Sequence, residues 1–295
     1  MKILFILNPT SGKTQVNQDR LEAMAKCIQL NFPGADMRLT KAAGHATELA
    51  KEAAANGYDA AVAIGGDGTI NETARGLVGT NTALGVIPKG SGNGFARELG
   101  MPLLFEEAVM RLQRAKIHPC DAGRANGELF LNLAGVGIEA EIAWQFMEQG
   151  KTGNRGMWPY FKIGAKTVFS YKPKTLEVDL DGTPLTLAPL TLVFANGRQY
   201  GSNFKIAPKA NLSDGELDMV IVRDAPKWKL ALAAPSFFTD NWRPFGITET
   251  THTKHAVIRV PGDIVYHIDG EPRKTKDQLE IAIQPGALNV LFPEK

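Results

Sequence analysis

Cysteine, long apolar runs and net charge are all scarce in this sequence. Of its 295 residues only Cys27 and Cys120 are cysteines, and neither has a second Cys or a His at zinc-site spacing. Neither a disulfide framework nor a structural zinc is indicated, and a reducing compartment fits. No window approaches the ~18 consecutive apolar residues that a membrane-spanning helix needs. The first apolar run, Ile3-Leu4-Phe5-Ile6-Leu7, is too short for the core of a signal peptide and stops at Asn8-Pro9, so it reads as a buried strand. Thirty-three Lys and Arg against 31 Asp and Glu leave a net charge of +2. That field is too weak for a dedicated nucleic-acid binder, so no nucleic-acid partner is expected. The expected setting is cytoplasmic, with at most peripheral contact with a membrane.

What is present is ordinary for a globular chain, with 44% hydrophobic and 22% charged residues, enough for a large core divided over about two domains. Up to residue 120, short apolar runs alternate with helical patterns: Lys2–Leu7 then Gln15–Leu30, Met37–Thr40 then Ala46–Ala55, Ala60–Ile64 then Ile70–Val78, and Leu84–Pro88 then Phe105–Ala115. This predicts an α/β fold, a Rossmann-like parallel sheet with helices on both faces. From residue 121 to 283 the texture becomes β-rich. Glu128–Leu133, Thr175–Leu180, Leu185–Ala195, Glu216–Val222, His255–Val260, Ile264–Ile268 and Gln278–Ile283 read as strands, with Asp181-Gly182 as a hairpin turn. An antiparallel, β-sandwich-like second domain is expected, with the C-terminal strand at about 284–295 returning to the first. Helices are expected at Glu139–Glu148, Pro159–Ser170 and Lys227–Phe238.

Ligands of parallel sheets bind beyond the carboxyl ends of the strands. Three of those ends carry small-residue turns: Asn8-Pro9-Thr10-Ser11-Gly12-Lys13, Gly65-Gly66-Asp67-Gly68-Thr69-Ile70-Asn71-Glu72, and Pro88-Lys89-Gly90-Ser91-Gly92-Asn93. Glycines let a backbone approach phosphate closely, and the N-terminus of the helix after Gly66 offers free N–H groups. Asp67 beside a phosphate requires an intervening Mg²⁺, which makes it a metal-side or hydroxyl-facing residue; the competing reading is a helix cap by Asp67 or Thr69. The first turn lacks the early glycine of a Walker A loop, because that position is Leu7. The other two lack the third glycine of the dinucleotide fingerprint.

Together these motifs, with Gly85-x-Ile87-Pro88-x-Gly90-Ser91-x-Asn93-x-Phe95-Ala96-Arg97, Ile206-Ala207-Pro208-x-Ala210-x-x-x-Asp214-Gly215-x-Leu217-Asp218 and Asp269-Gly270-Glu271, resemble the diacylglycerol kinase catalytic family, which includes bacterial lipid kinases and sphingosine kinases. The resemblance covers nearly the whole chain. It implies ATP-dependent phosphorylation of a lipid hydroxyl in a cleft between two domains, with ATP on Asn8 to Lys13, Thr40, Gly66 to Glu72 and Ser91. It implies Mg²⁺ at Asp214, with the carbonyls of Asn211 and Glu216. It assigns the proton acceptor to Asp269 or Glu271, with Asp269 favoured. Gly94, where many bacterial members have Asp, resembles sphingosine-type wording, and Glu139 stands where Asp is usual; both bear on the acceptor lipid.

Between Lys151 and Lys174 lie six cations and no anion, with Trp158, Phe161, Ala165 and Val168 at helical spacing. Such a helix can rest on an anionic bilayer or pack its stripe inward. The aromatic stretch Trp228 to Phe245 reads as core, and His252 and His255 as loop residues. Exposed strand edges in the second domain could pair into a homodimer. Gly-Gly-Asp-Gly also occurs in NAD kinase-like and phosphofructokinase-like enzymes, so those, and a nucleotide- or membrane-binding module without turnover, are the alternative readings.

Overall fold

The first apolar run forms β1 (Ile3–Leu7), buried along its whole length. In the computed structural model, which describes residues 1–12, 16–150, 167, 170–239 and 245–294, α1 (Gln18–Asn31), β2 (Asp36–Leu39), α2 (His45–Ala55), β3 (Ala60–Gly65), α3 (Asp67–Leu77), β4 (Ala83–Pro88), α4 (Gly94–Glu98), α5 (Phe105–Leu112) and β5 (Lys116–Ala125) follow. β1 pairs in parallel with β2 and β3, and β3 with β4. Strands β1, β3 and β4 are buried throughout, which explains why each is an unbroken apolar run rather than an alternating one. The Asn17 side chain caps α1, accepting from the Arg20 N–H at 3.0 Å.

The second set of elements is β6 (Glu128–Phe130), β7 (Leu133–Gly137), α6 (Ile138–Gly150), β8 (Leu176–Leu180), β9 (Thr183–Leu187), β10 (Pro189–Ala195), β11 (Leu217–Arg223), α7 (Lys227–Ala233) with a 3-10 helix (Ala234–Phe238), β12 (Thr248–Thr253), β13 (His255–Ile268) and β14 (Glu271–Phe292). The chain divides into two units, Met1–Ala122 with Pro285–Lys295, and Gly123–Gln284. In the first, the end of β14 lies parallel to β4, Val290 opposite Leu84. In the second, the order β12-β11-β10-β7-β13-β14 is antiparallel, with β8 on β13 and β9 on β8. Phe130, Phe194 and Tyr266 pack in one cluster of this unit, and Leu133, Val193, Val220 and Phe237 in another. The β8–β9 turn uses Asp181 (φ 49°) and Gly182 (φ 87°), the left-handed pair a two-residue hairpin requires.

Several elements differ from the sequence expectation. Glu128–Leu133 is two strands, because the N–H groups of Leu131, Asn132 and Leu133 turn to the Asp269 carboxylate instead of continuing a ladder. Leu185–Ala195 is also two strands, broken at Ala188. His255–Val260 and Ile264–Ile268 are one strand, its register shifting between Arg259 and Asp263, where Pro261 removes a donor. β12 was not expected, since Thr248–Thr253 has no apolar alternation. His252 and His255 lie on β12 and β13 rather than in a loop. His252 Nδ1 is 3.9 Å from both Glu216 and Asp218, and His255 Nε2 is 2.9 Å from Glu280. Most of the expected helix at Pro159–Ser170 and of the basic segment 151–174 lies outside the described residues; Thr167 and Ser170, which are described, are helical.

Helices α2 and α3 meet at Gly76, where a Cβ would stand 2.5 Å from the Thr47 carbonyl oxygen and 2.7 Å from the Ala50 Cβ. Gly76→Val should therefore destabilise the protein by about 1–3 kcal/mol, the cost of overpacking, read as a lower midpoint in urea denaturation.

Candidate active site

In the first unit the turns after β1, β3 and β4 are tied to one another. Asn8 Nδ2 donates to Thr69 Oγ1 at 3.0 Å, and Asn8 Oδ1 accepts from the Thr10 N–H and hydroxyl at 3.0 and 2.9 Å. The Ser11 hydroxyl donates to the Asn8 carbonyl at 3.0 Å, and Lys89 Nζ donates to the Ser11 carbonyl. Between the β3 and β4 turns the backbones touch: a Cβ on Gly90 would lie 2.6 Å from the Gly66 Cα. Gly65 leaves room for the Thr69 side chain, and a Cβ on Gly12 would meet the Lys89 carbonyl oxygen at 2.5 Å. Thr40 bonds through its N–H to the Leu7 carbonyl at 2.9 Å, just past β2. Ser91 is exposed, Pro9 is half-buried, and Lys13 lies outside the described residues.

Helix α3 begins at this junction, and its N-cap is Gly66, with no side chain capping it. Asp67 and Thr69 are thus not the cap that the sequence allowed. The Asp67 N–H turns to its own carboxylate, and the other early N–H groups, at the positive end of the helix dipole, have the geometry with which a helix start can hold an anion. Gly68 is exposed there, while Thr69, Ile70 and Asn71 are buried and Glu72 half-buried. The Asp67 carboxylate faces the first turn of α4. Burial pushes its proton affinity up, opposed by hydrogen bonds from the backbone N–H groups of Gly94, Phe95 and Asn93. Its Oδ1 has no hydrogen-bond partner among the described residues.

In the second unit Asp269 and Glu271 take different places in one turn. Asp269 (φ 48°) and Gly270 (φ 84°) are both left-handed and join β13 to β14. Asp269 Oδ2 accepts from the Leu131 N–H at 2.8 Å, and Oδ1 from the N–H groups of Asn132 and Leu133 at 2.9 and 3.0 Å. Most of its roughly four lone-pair sites are committed to the backbone. Glu271 is exposed, its Oε2 3.2 Å from Arg273 Nη2, and Arg273 also reaches Glu128 at 3.1 Å.

The metal ligands expected at residues 211–216 lie in the turn before β11. Asn211 Oδ1 accepts from the Ser213 N–H and Asp214 Oδ1 from the Glu216 N–H, each at 3.2 Å. Asp214 is exposed and Glu216 half-buried. Asp218 is pushed up chiefly by burial, then by the like charges of Asp214 and Glu216, while His252 pulls it down. Among the described residues no group of three or more His, Cys, Asp or Glu stands close enough to hold a metal. A single carboxylate among backbone oxygens is the donor chemistry of a hard cation such as Mg²⁺ rather than of a transition metal.

Residues 2–125 match the diacylglycerol kinase catalytic domain family, and residues 134–292 the YegS C-terminal NAD kinase beta sandwich-like domain. The chain is 34% identical over 226 residues to a diacylglycerol kinase of Bacillus subtilis, covering 75% of this chain and 73% of that one. It is 31% identical to a diacylglycerol kinase of Mycobacterium tuberculosis, over 99% of this chain and 95% of that one. The chain belongs to the diacylglycerol kinase family and is a lipid kinase. A crystal structure of a diacylglycerol kinase from Bacillus anthracis superposes with a TM-score of 0.74 over 99% of this chain and 96% of that one, at 22% identity. That likeness supports the fold: an N-terminal parallel-strand α/β domain followed by an antiparallel β-sandwich-like domain. No described helix of this lipid kinase is long and apolar enough to cross a membrane.

Two residues of the loops were missed as site residues in the sequence. Lys89 bridges the turns after β1 and β4, and burial, then the nearby charge of Arg20, lowers its proton affinity. It is the sole cation of its turn, a signal the sequence contained. Asn93 (φ 52°) closes the Gly90 turn with its side chain, accepting from the Gly90 N–H at 2.8 Å and donating to the Gly90 carbonyl at 2.9 Å. Asn tolerates the left-handed region, which is why it can stand there.

A carboxyl raised in the folded state binds its proton more tightly there than in the unfolded chain, so ionising it costs stability. The contribution of Asp67 is therefore largest below the ordinary carboxylate range, about pH 4, and declines as pH climbs through its raised folded value. Asp67→Asn should flatten that decline, seen by comparing urea midpoints of the two proteins between about pH 4 and 7.

Proposed function

We propose that this lipid kinase transfers the terminal phosphoryl group of ATP, with Mg²⁺, to a hydroxyl of diacylglycerol or a related long-chain lipid. The observation that carries the reading is the uncapped start of α3, framed by the Asn8–Gly12 and Gly90–Asn93 turns. Phosphoryl transfer demands little covalent chemistry of a protein, so positioning and charge stabilisation do most of it. The N–H groups at the start of α3 hold phosphate oxygens, Gly66 and Gly12 let the backbone come close, and Asn8 and Thr69 brace the two turns. Bound Mg²⁺ supplies neutralisation of the charge on the transferring phosphoryl group. Asp67 is the carboxylate of this loop able to face it. At residues 211–216 the Asp214 carboxylate and the carbonyls of Asn211 and Glu216 would hold a cation that offsets repulsion among Asp214, Glu216 and Asp218.

Glu271 takes the hydroxyl proton. Its carboxylate is exposed and, among the described residues, is bound from one side by Arg273, whereas Asp269 already accepts three N–H bonds. Asp269 positions the turn and so acts through Glu271. This reverses the order of preference that the sequence suggested. The mechanism asks for a hydroxyl brought within hydrogen-bond reach of Glu271, and for water kept from the phosphoryl group.

Glu271→Gln should lower kcat by about 10²–10⁴-fold while leaving the ATP KM and the melting temperature unchanged, in a radiolabelled-ATP assay on mixed micelles of diacylglycerol. Asp269→Asn should lower stability by about 1–3 kcal/mol, the cost of weakening acceptors of buried N–H groups. Equal loss of turnover in both variants with no change in stability for Asp269→Asn would refute the division of roles. Mg²⁺ should raise the melting temperature of the unaltered protein, and Asp214→Asn should abolish that rise, a readout independent of turnover.

A further inference from the structure

Helix α7 and the 3-10 helix after it are apolar on two opposite sides, and the fold uses one. Leu230, Ala233 and Phe237 pack into the cluster around Val193 and Val220. The other side carries Trp228, 67% exposed, Leu232, 59%, and Phe238, 53%. Ala231 and Pro235 are exposed between them, giving the spacing 228, 231, 232, 235 of one helical stripe. Phe245, further along, is 47% exposed. The sequence reading placed this stretch in the core; only Phe237 is there, and Trp242 lies outside the described residues.

A solvated helix ordinarily sets polar side chains opposite its buried stripe, and a run of large exposed apolar side chains marks a contact surface. Charge says which kind. From Ala225 to Thr239 there is no acidic residue, Asp224 and Asp240 bounding the stretch in sequence, and Lys227 and Lys229 flank Trp228; Asp224 Oδ1 stands 3.9 Å from Lys227 Nζ. A second copy meeting this face about a two-fold axis would bring four lysines into one interface with no acidic residue of the stretch Ala225 to Thr239 to meet them, which disfavours self-association. An anionic bilayer satisfies both features, since aromatic and aliphatic side chains settle at the boundary of headgroups and acyl chains while lysines meet the phosphates.

We propose that the α7 face, with Trp228, Leu232 and Phe238 inserted and Lys227 and Lys229 at the headgroups, is the surface by which this enzyme sits on an anionic membrane. The proposal goes beyond the phosphoryl-transfer reading and rests only on the acceptor being a membrane lipid. It accounts for a stripe that is left largely open, Trp228 and Leu232 exposed and Phe238 touching the fold through the edge of the Phe204 ring at 5.2 Å. It also supplies a way for a chain of small net charge to find a bilayer, by a local pairing of apolar and basic groups.

The test is co-sedimentation of the full chain with phosphatidylcholine vesicles, with and without about one third phosphatidylglycerol. The triple variant Trp228→Ser, Leu232→Ser, Phe238→Ser should bind anionic vesicles at least about tenfold more weakly. Its melting temperature should match that of Phe238→Ser alone, which loses the ring contact with Phe204, and its turnover of a short-chain acceptor lipid presented as monomers should be unchanged. Lys227→Glu with Lys229→Glu should erase the preference for anionic vesicles. Brominated phospholipid should quench the tryptophan fluorescence of the unaltered protein more than that of Trp228→Phe. Unchanged vesicle affinity in the triple variant overturns the proposal. So does equal quenching in Trp228→Phe, or a dimer in light scattering that the triple variant abolishes while vesicle binding stands. Vesicle binding is read without turnover, so a failure of the kinase reaction would appear in the unaltered protein's assay and would not be mistaken for a failure of the surface.

Discussion

Two backbones touch at Gly66 and Gly90, and the loops of the first unit take their form from that contact. A methyl group on Gly90 would lie 2.6 Å from the Gly66 Cα and 2.9 Å from the Asn93 side chain, distances no packed structure tolerates. With both positions bare, the turn after β4 comes down on the turn after β3. Asn93 then folds back onto Gly90 in the left-handed region, which sets where α4 begins. The first N–H groups of α4 consequently face the Asp67 carboxylate. One steric condition thus governs the start of α3, the start of α4 and the place of the carboxylate between them.

The second unit holds its turn by charge rather than by absence of bulk. Asp269 draws three consecutive N–H groups out of strand geometry, so the ladder that would have run from β6 into β7 is interrupted. Hydrogen bonds to a charged acceptor are stronger than backbone pairs, which is why the exchange is favourable. The same commitment leaves Glu271 as the exposed carboxylate of the turn. A residue that organises a site and a residue that reacts in it have opposite needs: one wants its lone pairs occupied, the other wants them open.

The pattern of the chain made much of this legible. Strands β1, β3 and β4 are visible because a strand covered on both faces is apolar throughout, and Asp181-Gly182 because few residues accept the left-handed pair a tight hairpin needs. The glycines of the Gly65–Glu72 segment were readable as a place of close approach, and the backbones of Gly66 and Gly90 meet there, because such an approach leaves only glycine as a choice. What escaped were features made by partners far apart. The split at Leu131 and Asn132 depends on a carboxylate 138 and 137 residues on, and the link from Lys89 to Ser11 spans 78 residues. No local window contains both members of such a pair. The stripe of Trp228, Leu232 and Phe238 is a different case: its residue types are plain, but apolar residues look alike in sequence whether a core covers them or solvent does.

The sequence by itself therefore determined the class of fold, the family and the set of groups available for chemistry, because hydrophobic period, glycine placement and turn residues are local properties. The tertiary structure alone decided which of two neighbouring carboxylates is bound and which is open, which loops are braced together, and which side of α7 is buried. Those depend on the hydrogen-bond partners and contact atoms that folding brings to each residue, and a side chain's identity does not say what will stand opposite it.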